Sequence, residues 1–347
     1  MSATNETSTP PTGGAPVSPR RMAAGAGERA RVRLVVGWLA RYGTLAALAA
    51  MILAFSALAP GSFPTLSNLV NIVNQASLTA IISVGLTVPL IVGEFDLSIG
   101  YLASLAGVFV TGFMVNQHFP ILIAILAVLA VGALVGLVNG LLVTKAGVNA
   151  VIATLGTGTV LIGLNYGYSA GIPVAVGVPD AFLRIAFGSI LGIPNDIIIM
   201  AVVVAILWVL LNRTDAGQRI QAVGGNTEAA RLSGIRVDRV KIAAFMIASV
   251  CAALTGILLA SLIGSGSTTA GDGYLLDAFA AVFLGSVTLR DGEFHILGTL
   301  VGVLIIGVAY NGLAIFGAPT FGQYVVKGSI LVIAVALSTV ARRFARG

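Results

Sequence analysis

From residue 42 to residue 341 the sequence passes through a series of long apolar stretches, roughly 42–59, 69–92, 98–116, 119–144, 148–169, 195–212, 240–263, 274–289, 293–316 and 323–341. A helix of about 20 residues crosses the hydrocarbon of a bilayer. The pattern therefore predicts an all-α fold, a polytopic transmembrane helical bundle of about ten membrane segments. The 274–289 stretch is short for a full crossing, so a tilted, broken or re-entrant segment is expected there. Residues 1–40 open with a stretch, 1–33, that is rich in Ser, Thr, Pro, Gly, Ala and Arg and forms no apolar run. They are expected to be a disordered cytoplasmic tail rather than a signal peptide, ahead of a membrane domain over 41–347. Thr214 to Lys241 is the longest polar stretch inside that domain.

Composition strengthens the membrane reading. A soluble domain carries about a quarter charged residues, whereas this chain has 9 % charged, 57 % hydrophobic and a mean hydropathy of +1.02. Its 43 glycines suit helices that pack closely through small residues. The single cysteine, Cys251, lies in an apolar stretch, so neither a disulfide framework nor a cysteine metal site is available.

The net charge of +6 suggests nucleic acid only until its distribution is considered. The basic residues cluster at membrane flanks, where anionic lipid headgroups and the positive-inside rule account for them. With ten crossings and both termini cytoplasmic, Arg20, Arg21, Arg29, Arg31, Arg33 and Arg41 fall inside. So do Arg213, Arg219, Arg231, Arg236, Arg239 and Lys241 of a cytoplasmic loop 213–241, with Lys145, Arg290, Arg342, Arg343 and Arg346. That places 17 of the 19 basic residues on one side and leaves Arg184 and Lys327 for the outer half.

An internal repeat is also present. Asn139-Gly140-Leu141 recurs as Asn311-Gly312-Leu313, and the same offset of 172 carries Ala146 to Ala318 and Gly156 to Gly328. Five predicted segments separate the copies, an odd number, so the halves are expected to be inverted, as in transporters whose pathway lies between repeats.

No catalytic set emerges. His118 and His295 are far apart with no ligand spacing, and no Gly-x-x-x-x-Gly-Lys-Ser/Thr phosphate loop exists. The chain is expected not to be an enzyme and to hold no metal. Within the polar stretch, Gly224-Gly225-Asn226-Thr227-Glu228-Ala229-Ala230-Arg231-Leu232-Ser233-Gly234-Ile235 reads as a short separate helix. Asn226 or Thr227 can cap its start, Glu228 suits the positive end of the dipole, and Gly234 can end it.

Six motifs stand in order along the chain: Phe95-Asp96-Leu97-Ser98-Ile99-Gly100, Asn139-Gly140-Leu141-Leu142-Val143, Ile152-Ala153-Thr154-Leu155-Gly156, Ala222-Val223-Gly224-Gly225-Asn226, Gly273-Tyr274-Leu275-Leu276-Asp277-Ala278 and Val326-Lys327-Gly328. Across roughly 40–341 they resemble the ribose/xylose-type permeases of binding-protein-dependent sugar ABC importers, components of the cell inner membrane. Glu228-Ala229-Ala230 with Gly234 resembles the loop by which such permeases dock their ATPases. The resemblance implies alternating access for a small sugar or polyol, with Gly225, Asn226, Glu228, Ala229, Ala230, Arg231 and Gly234 coupling to a cytoplasmic ABC ATPase. It also implies an extracytoplasmic sugar-binding protein and a second permease copy, identical or not. ATP and magnesium would belong to the partner ATPase, with no cofactor on this chain. A secondary transporter with inverted repeats is the alternative reading.

The family usually has two glycines and an apolar residue before Asp-Leu-Ser, where Val92-Gly93-Glu94-Phe95 stands here, and its later glycine-rich turn is replaced by Arg290-Asp291-Gly292-Glu293-Phe294. Candidate pathway residues are Asp96, Asn139, Tyr274, Asp277 and Asn311. Each has a structural reading beside the functional one. Asp96 also looks like the N-cap of the third segment. Asp277 either faces a wet pathway or bonds a neighbouring helix, and the two asparagines either meet solute hydroxyls or bond between helices. Lys327 is expected to snorkel to the outer interface.

Overall fold

A computed structural model describes residues 42–288 and 292–346. The tail over 1–40, Arg41, Arg290 and Asp291 lie outside the described residues, as do the side chains of Arg342, Arg343 and Arg346. The described chain is helical almost throughout. Six helices are long and apolar enough to span a membrane: α2 (Leu66–Ile91), α4 (Ile121–Thr144), α5 (Ala150–Ser169), α7 (Asn195–Arg213), α10 (Val237–Ile263) and α12 (Ile296–Ile315). Shorter apolar helices are α1 (Tyr42–Leu58), α3 (Ile99–Val115) and α11 (Gly273–Ser286), and α13 (Thr320–Arg346) is apolar over Thr320–Ala336. The 14-residue α11 is the short segment that the apolar run 274–289 predicts.

The connection over 170–194, to which the apolar pattern assigns nothing, folds as α6 (Asp180–Phe187) and a two-stranded hairpin, β1 (Ser189–Ile190) with β2 (Ile193–Pro194). Leu191 and Gly192 at its tip both have positive φ. Ser261 of α10 holds α6 in place by donating to the Phe182 carbonyl at 2.7 Å and accepting from the Ala186 amide at 3.0 Å. The polar stretch folds as two helices, α8 (Asp215–Gly225) and α9 (Thr227–Leu232). Gly224 and Gly225 therefore close α8 rather than open the short helix expected over 224–235, and extended Asn226 makes the break.

At the centre α2 and α10 cross, and Gly85 of α2 meets Cys251 and Ala248 of α10. Each also grips a further helix through small residues. On α4, Gly132, Gly136 and Gly140 face Ser249–Ala253, Phe245–Met246 and Ile242 of α10 in that order, so α4 and α10 run antiparallel. On α2, Asn68, Ile72, Ala76 and Thr87 face Asn311, Gly307 and Thr299 of α12 in descending order, and these two are antiparallel as well. Thr255 of α10 reaches the Leu78 carbonyl, whereas Lys241 reaches Glu94, so α2 and α10 are antiparallel too. It follows that α4 and α12, the helices holding the two Asn-Gly-Leu copies, run in opposite directions.

Several polar side chains inside this bundle pair between segments. The hydroxyls of Thr87 and Thr299 are 2.8 Å apart, and Ser104 donates to Asp272 at 2.7 Å while accepting from the Gly271 amide. In a medium without water, such bonds replace those that an isolated helix could not make. The outer surfaces of α4 and α7 instead show Leu122, Ile123, Leu126, Val202 and Ile206, the side chains that a multi-pass membrane protein offers to lipid.

Candidate functional site

At one end of the bundle, α8, α9 and the start of α10 build an ordered polar surface out from apolar helices. Thr214 caps α8 by accepting from the Gly217 amide at 3.2 Å. Near its far end, Gly224 lies so close to the Ile91 carbonyl of α2 that a Cβ there could not be accommodated. Asn226 then caps α9, its Oδ1 accepting from the Ala229 amide at 2.9 Å. Gly234 closes α9 with φ +83°, a left-handed conformation natural to glycine. The Ile235 amide returns to the Ala230 carbonyl at 3.0 Å, the closing bond of a helix C-cap.

Of the seven residues expected to couple, six are exposed: Gly225, Asn226, Glu228, Ala229, Arg231 and Gly234. Ala230 is buried against Ile220, Val223 and Val237 and anchors the helix instead of presenting a surface. Leu232, which the sequence reading does not single out, is 82 % exposed beside them. Glu228 and Arg231 face each other across 3.7 Å.

The five pathway candidates fall into three places. Asp96 lies in the loop between α2 and α3, fully buried, its Oδ1 accepting from the Ser98 amide at 3.0 Å and hydroxyl at 2.6 Å. It is therefore not the N-cap of α3. That position belongs to Ser98, and Asp96 shapes the turn that precedes it. Asn139 joins this node by donating to the Ser98 hydroxyl at 3.0 Å. Asn311 exchanges two amide bonds with Asn68 of α2, at 3.0 and 2.9 Å. Asn311 thus bonds α12 to α2, across the two halves, whereas Asn139 bonds Ser98 within the first half, and the two asparagines do not meet.

Tyr274 and Asp277 share α11, partly buried. Asp277 Oδ1 accepts from the Tyr310 hydroxyl at 2.9 Å and pairs with Lys327 at 2.8 Å. Lys327 also donates to the Gly273 carbonyl at 2.8 Å and is 11 % exposed. The snorkelling expectation for Lys327 is thus corrected: a carboxylate and a carbonyl within reach compensate an ammonium in a low-dielectric interior more fully than a stretch to the interface does. Sequence reasoning also missed Asn68, Tyr310 and the ion pair Glu94–Lys241. In each pair the partners lie far apart in the chain, so no local spacing joins them.

The sequence model of a family described as "Branched-chain amino acid transport system / permease component" matches residues 68–335, which takes in the central helices and the α8–α9 surface. The chain belongs to this permease family. Among curated relatives, the ribose import permease protein RbsC of Escherichia coli K12 is 40 % identical over 301 residues, 86 % of this permease and 93 % of the relative. RbsC of Bacillus subtilis 168 is 41 % identical over 302 residues, covering 87 % and 93 %. The L-arabinose transport system permease protein AraH of Escherichia coli K12 is 35 % identical over 296 residues, covering 85 % and 89 %. No solved structure matches the permease.

Proposed function

We propose that this permease is the membrane subunit of an ABC importer that moves a small sugar or related polyol by alternating access. The relatives named for ribose and L-arabinose, aligned over most of both chains, favour a sugar over the amino acid of the family's description. The carrying observation from the geometry is α9. It is a six-residue helix capped at both ends, held by Ala230 and presenting Glu228, Ala229, Arg231 and Leu232 outward. Such a knob gives an ATPase a rigid contact with one apolar anchor and two charges for register. ATP and magnesium would be held by that partner.

Ten crossings with both termini cytoplasmic follow if α1, α3, α11 and α13 cross beside the six longer helices. An inverted repeat would relate α2–α5 to α10–α13. Its support is the offset of 172, which superposes these four helices in order, and the opposed directions of α4 and α12. We assign Tyr274, which keeps some exposure, to the solute route, with Asp277 held beside it in its pair with Lys327. Asp96, Asn139 and Asn311 act as braces. An extracytoplasmic binding protein and a second permease copy complete the assembly.

The test is purification from the native membrane followed by reconstitution. An ATPase should co-purify, and uptake of radiolabelled D-ribose, L-arabinose, D-galactose or D-allose should require ATP inside the vesicle. Uptake driven by an ion gradient with no bound ATPase would replace this reading with secondary transport. A cysteine placed at Ser233 should react with an impermeant maleimide only from the cytoplasmic side; labelling from outside would overturn the orientation.

A further inference from the structure

In the loop 92–98, Glu94 stands where the resemblance to the family would place a second glycine. The structure supplies a reason for it. Gly93, at φ +84°, ends α2 by turning the chain back, with the Gly93 amide on the Leu90 carbonyl and the Glu94 amide on that of Pro89. Glu94 does not share the positive φ, so a side chain is tolerated there. Its carboxylate meets Lys241 on the second turn of α10 at 2.5 Å, with the two side chains only 13 % and 20 % exposed. The other carboxylate near this end of α10, Asp238, is taken by Lys145 at 2.6 Å. Lys241 is therefore left to Glu94.

Beyond Glu94 the same loop contacts α11, α5 and α4 and leads into α3. Phe95 stacks on Phe279 and Phe283 of α11, with ring centroids 6.1 and 6.4 Å apart. The Leu97 amide donates to the Thr154 hydroxyl of α5 at 3.0 Å. Ser98 receives Asn139 of α4 and begins α3. On the other side, the last turn of α2 abuts Gly224 of α8, and Val92 packs in one apolar block with Val223, Ala230 and Val237. Residues 93–98 are a strap, fixed at one end to the α8–α9–α10 block and at the other to α3, α4, α5 and α11.

We infer that Glu94 and Lys241 are a positioning pair that ties this strap to the start of α10, so that movement of the α8–α9 surface is delivered to the helices around the solute route. This rests on the reading of α9 as the ATPase-docking element. A strap held only by apolar contact could slide when α10 tilts. A short, largely buried ion pair fixes one atom of the strap to one atom of α10, because separating it leaves a charge uncompensated in a poor solvent. The pair acts through the segment it holds.

The experiment uses the permease with its co-purified ATPase in lipid nanodiscs and reads the strap directly. Leu97→Cys is the reporter, which keeps the Phe95 stack and the amide bond to Thr154, and the native Cys251 is buried and contributes little background. Maleimide labelling is compared between the nucleotide-free complex and the complex trapped with ATP and vanadate. With Glu94 and Lys241 intact, trapping should change the labelling rate by about tenfold, within the range of coupling between distant sites. In Glu94→Gln or Lys241→Met the change should largely vanish, while bound ATPase and basal hydrolysis stay at the parent level. The exchange Glu94→Lys with Lys241→Glu should restore much of it.

A full trap-dependent change in either single variant overturns the proposal. So does loss in the singles without recovery in the exchange, which marks a local packing role only. If the parent permease binds no ATPase, the docking reading falls, and this inference falls with it before any variant is made.

Discussion

Glu228 and Arg231 lie 3.7 Å apart on α9 with side chains 69 % and 60 % exposed, whereas Asp277 and Lys327 join α11 to α13 at 2.8 Å with 13 % and 11 % exposed. The chemistry is the same and the surroundings are opposite. In water the first pair gains little, because solvent and salt screen it and two side chains must be held still. Inside the bundle the second pair is surrounded by further donors, the Tyr310 hydroxyl on the carboxylate and Gly273 accepting from the ammonium. Leaving either partner alone there is costly. The exposed pair is thus suited to meeting another protein, and the enclosed pair to holding three helices in one arrangement.

The largest effect should follow from breaking the enclosed pair. Lys327→Met leaves Asp277 without its cation and should cost about 3–5 kcal/mol, the usual penalty for an orphaned buried charge. The permease is expected to show a marked loss of yield or melting temperature in detergent. Lys327→Met combined with Asp277→Asn should recover most of it. If the single variant melts like the parent, water reaches Asp277, and the contrast between the two pairs fails.

Next comes the cap of α9. Gly234 holds φ +83° with open space around it, so a side chain meets backbone strain rather than a clash, about 1 kcal/mol or more. That is a modest stability loss. Gly234→Arg should nonetheless abolish ATP-driven uptake, because it puts bulk and charge at the edge of the docking knob. Normal uptake in this variant, with normal insertion, would mean that the ATPase docks elsewhere.

How much of this was legible in the sequence depends on the range of the interactions. The apolar runs locate the main helices because hydrocarbon demands length and apolarity locally, and the Asn226 and Gly234 caps are local too. The α6 hairpin was hidden because its buried face is only Phe182 and Ala186, too few to make a run. Asp96 looked like a cap because Leu97-Ser98 follows it, yet its carboxylate folds onto Ser98 and the helix begins three residues later. The partners of Lys327, Glu94 and Asn311 are set by which helices touch. Among these only the Asn-Gly-Leu repeat gave a hint, and it marked the two positions without naming their different neighbours.

Those neighbours allow a smaller test of the contrast between enclosed and open sites. Asn311→Ala removes both bonds to Asn68, although Asn68 keeps the Phe63 carbonyl. Interhelical bonds in membranes average about 0.6 kcal/mol with a maximum near about 1.7, so the loss should lie toward that upper end. Asn139→Ala removes a single bond to Ser98 and should cost less. Thermal unfolding of both variants in one detergent makes the comparison; the reverse order would show that the two copies are not braced as the structure indicates.

The smallest effect belongs to Glu228→Ala. Both members of its pair are exposed, so their mutual attraction is worth under about 1 kcal/mol, and removing the carboxylate leaves nothing buried and unpaired. Glu228 also lies in the first turn of α9, where a negative charge favours the helix by about 0.3–1 kcal/mol. The cap at Asn226 and the anchor at Ala230 remain. Folding should therefore be indistinguishable from the parent, and uptake should fall only a few-fold. The remaining dependence should itself be sensitive to salt, since charges on an open surface are screened beyond about 8 Å at physiological ionic strength. Raising salt should bring the parent toward Glu228→Ala in ATPase affinity while leaving the melting temperature unchanged. A loss as complete as that of Gly234→Arg, at every salt concentration, would instead mean that Glu228 becomes buried and directly paired in the complex, and the difference between the two ion pairs would then hold only for the free permease.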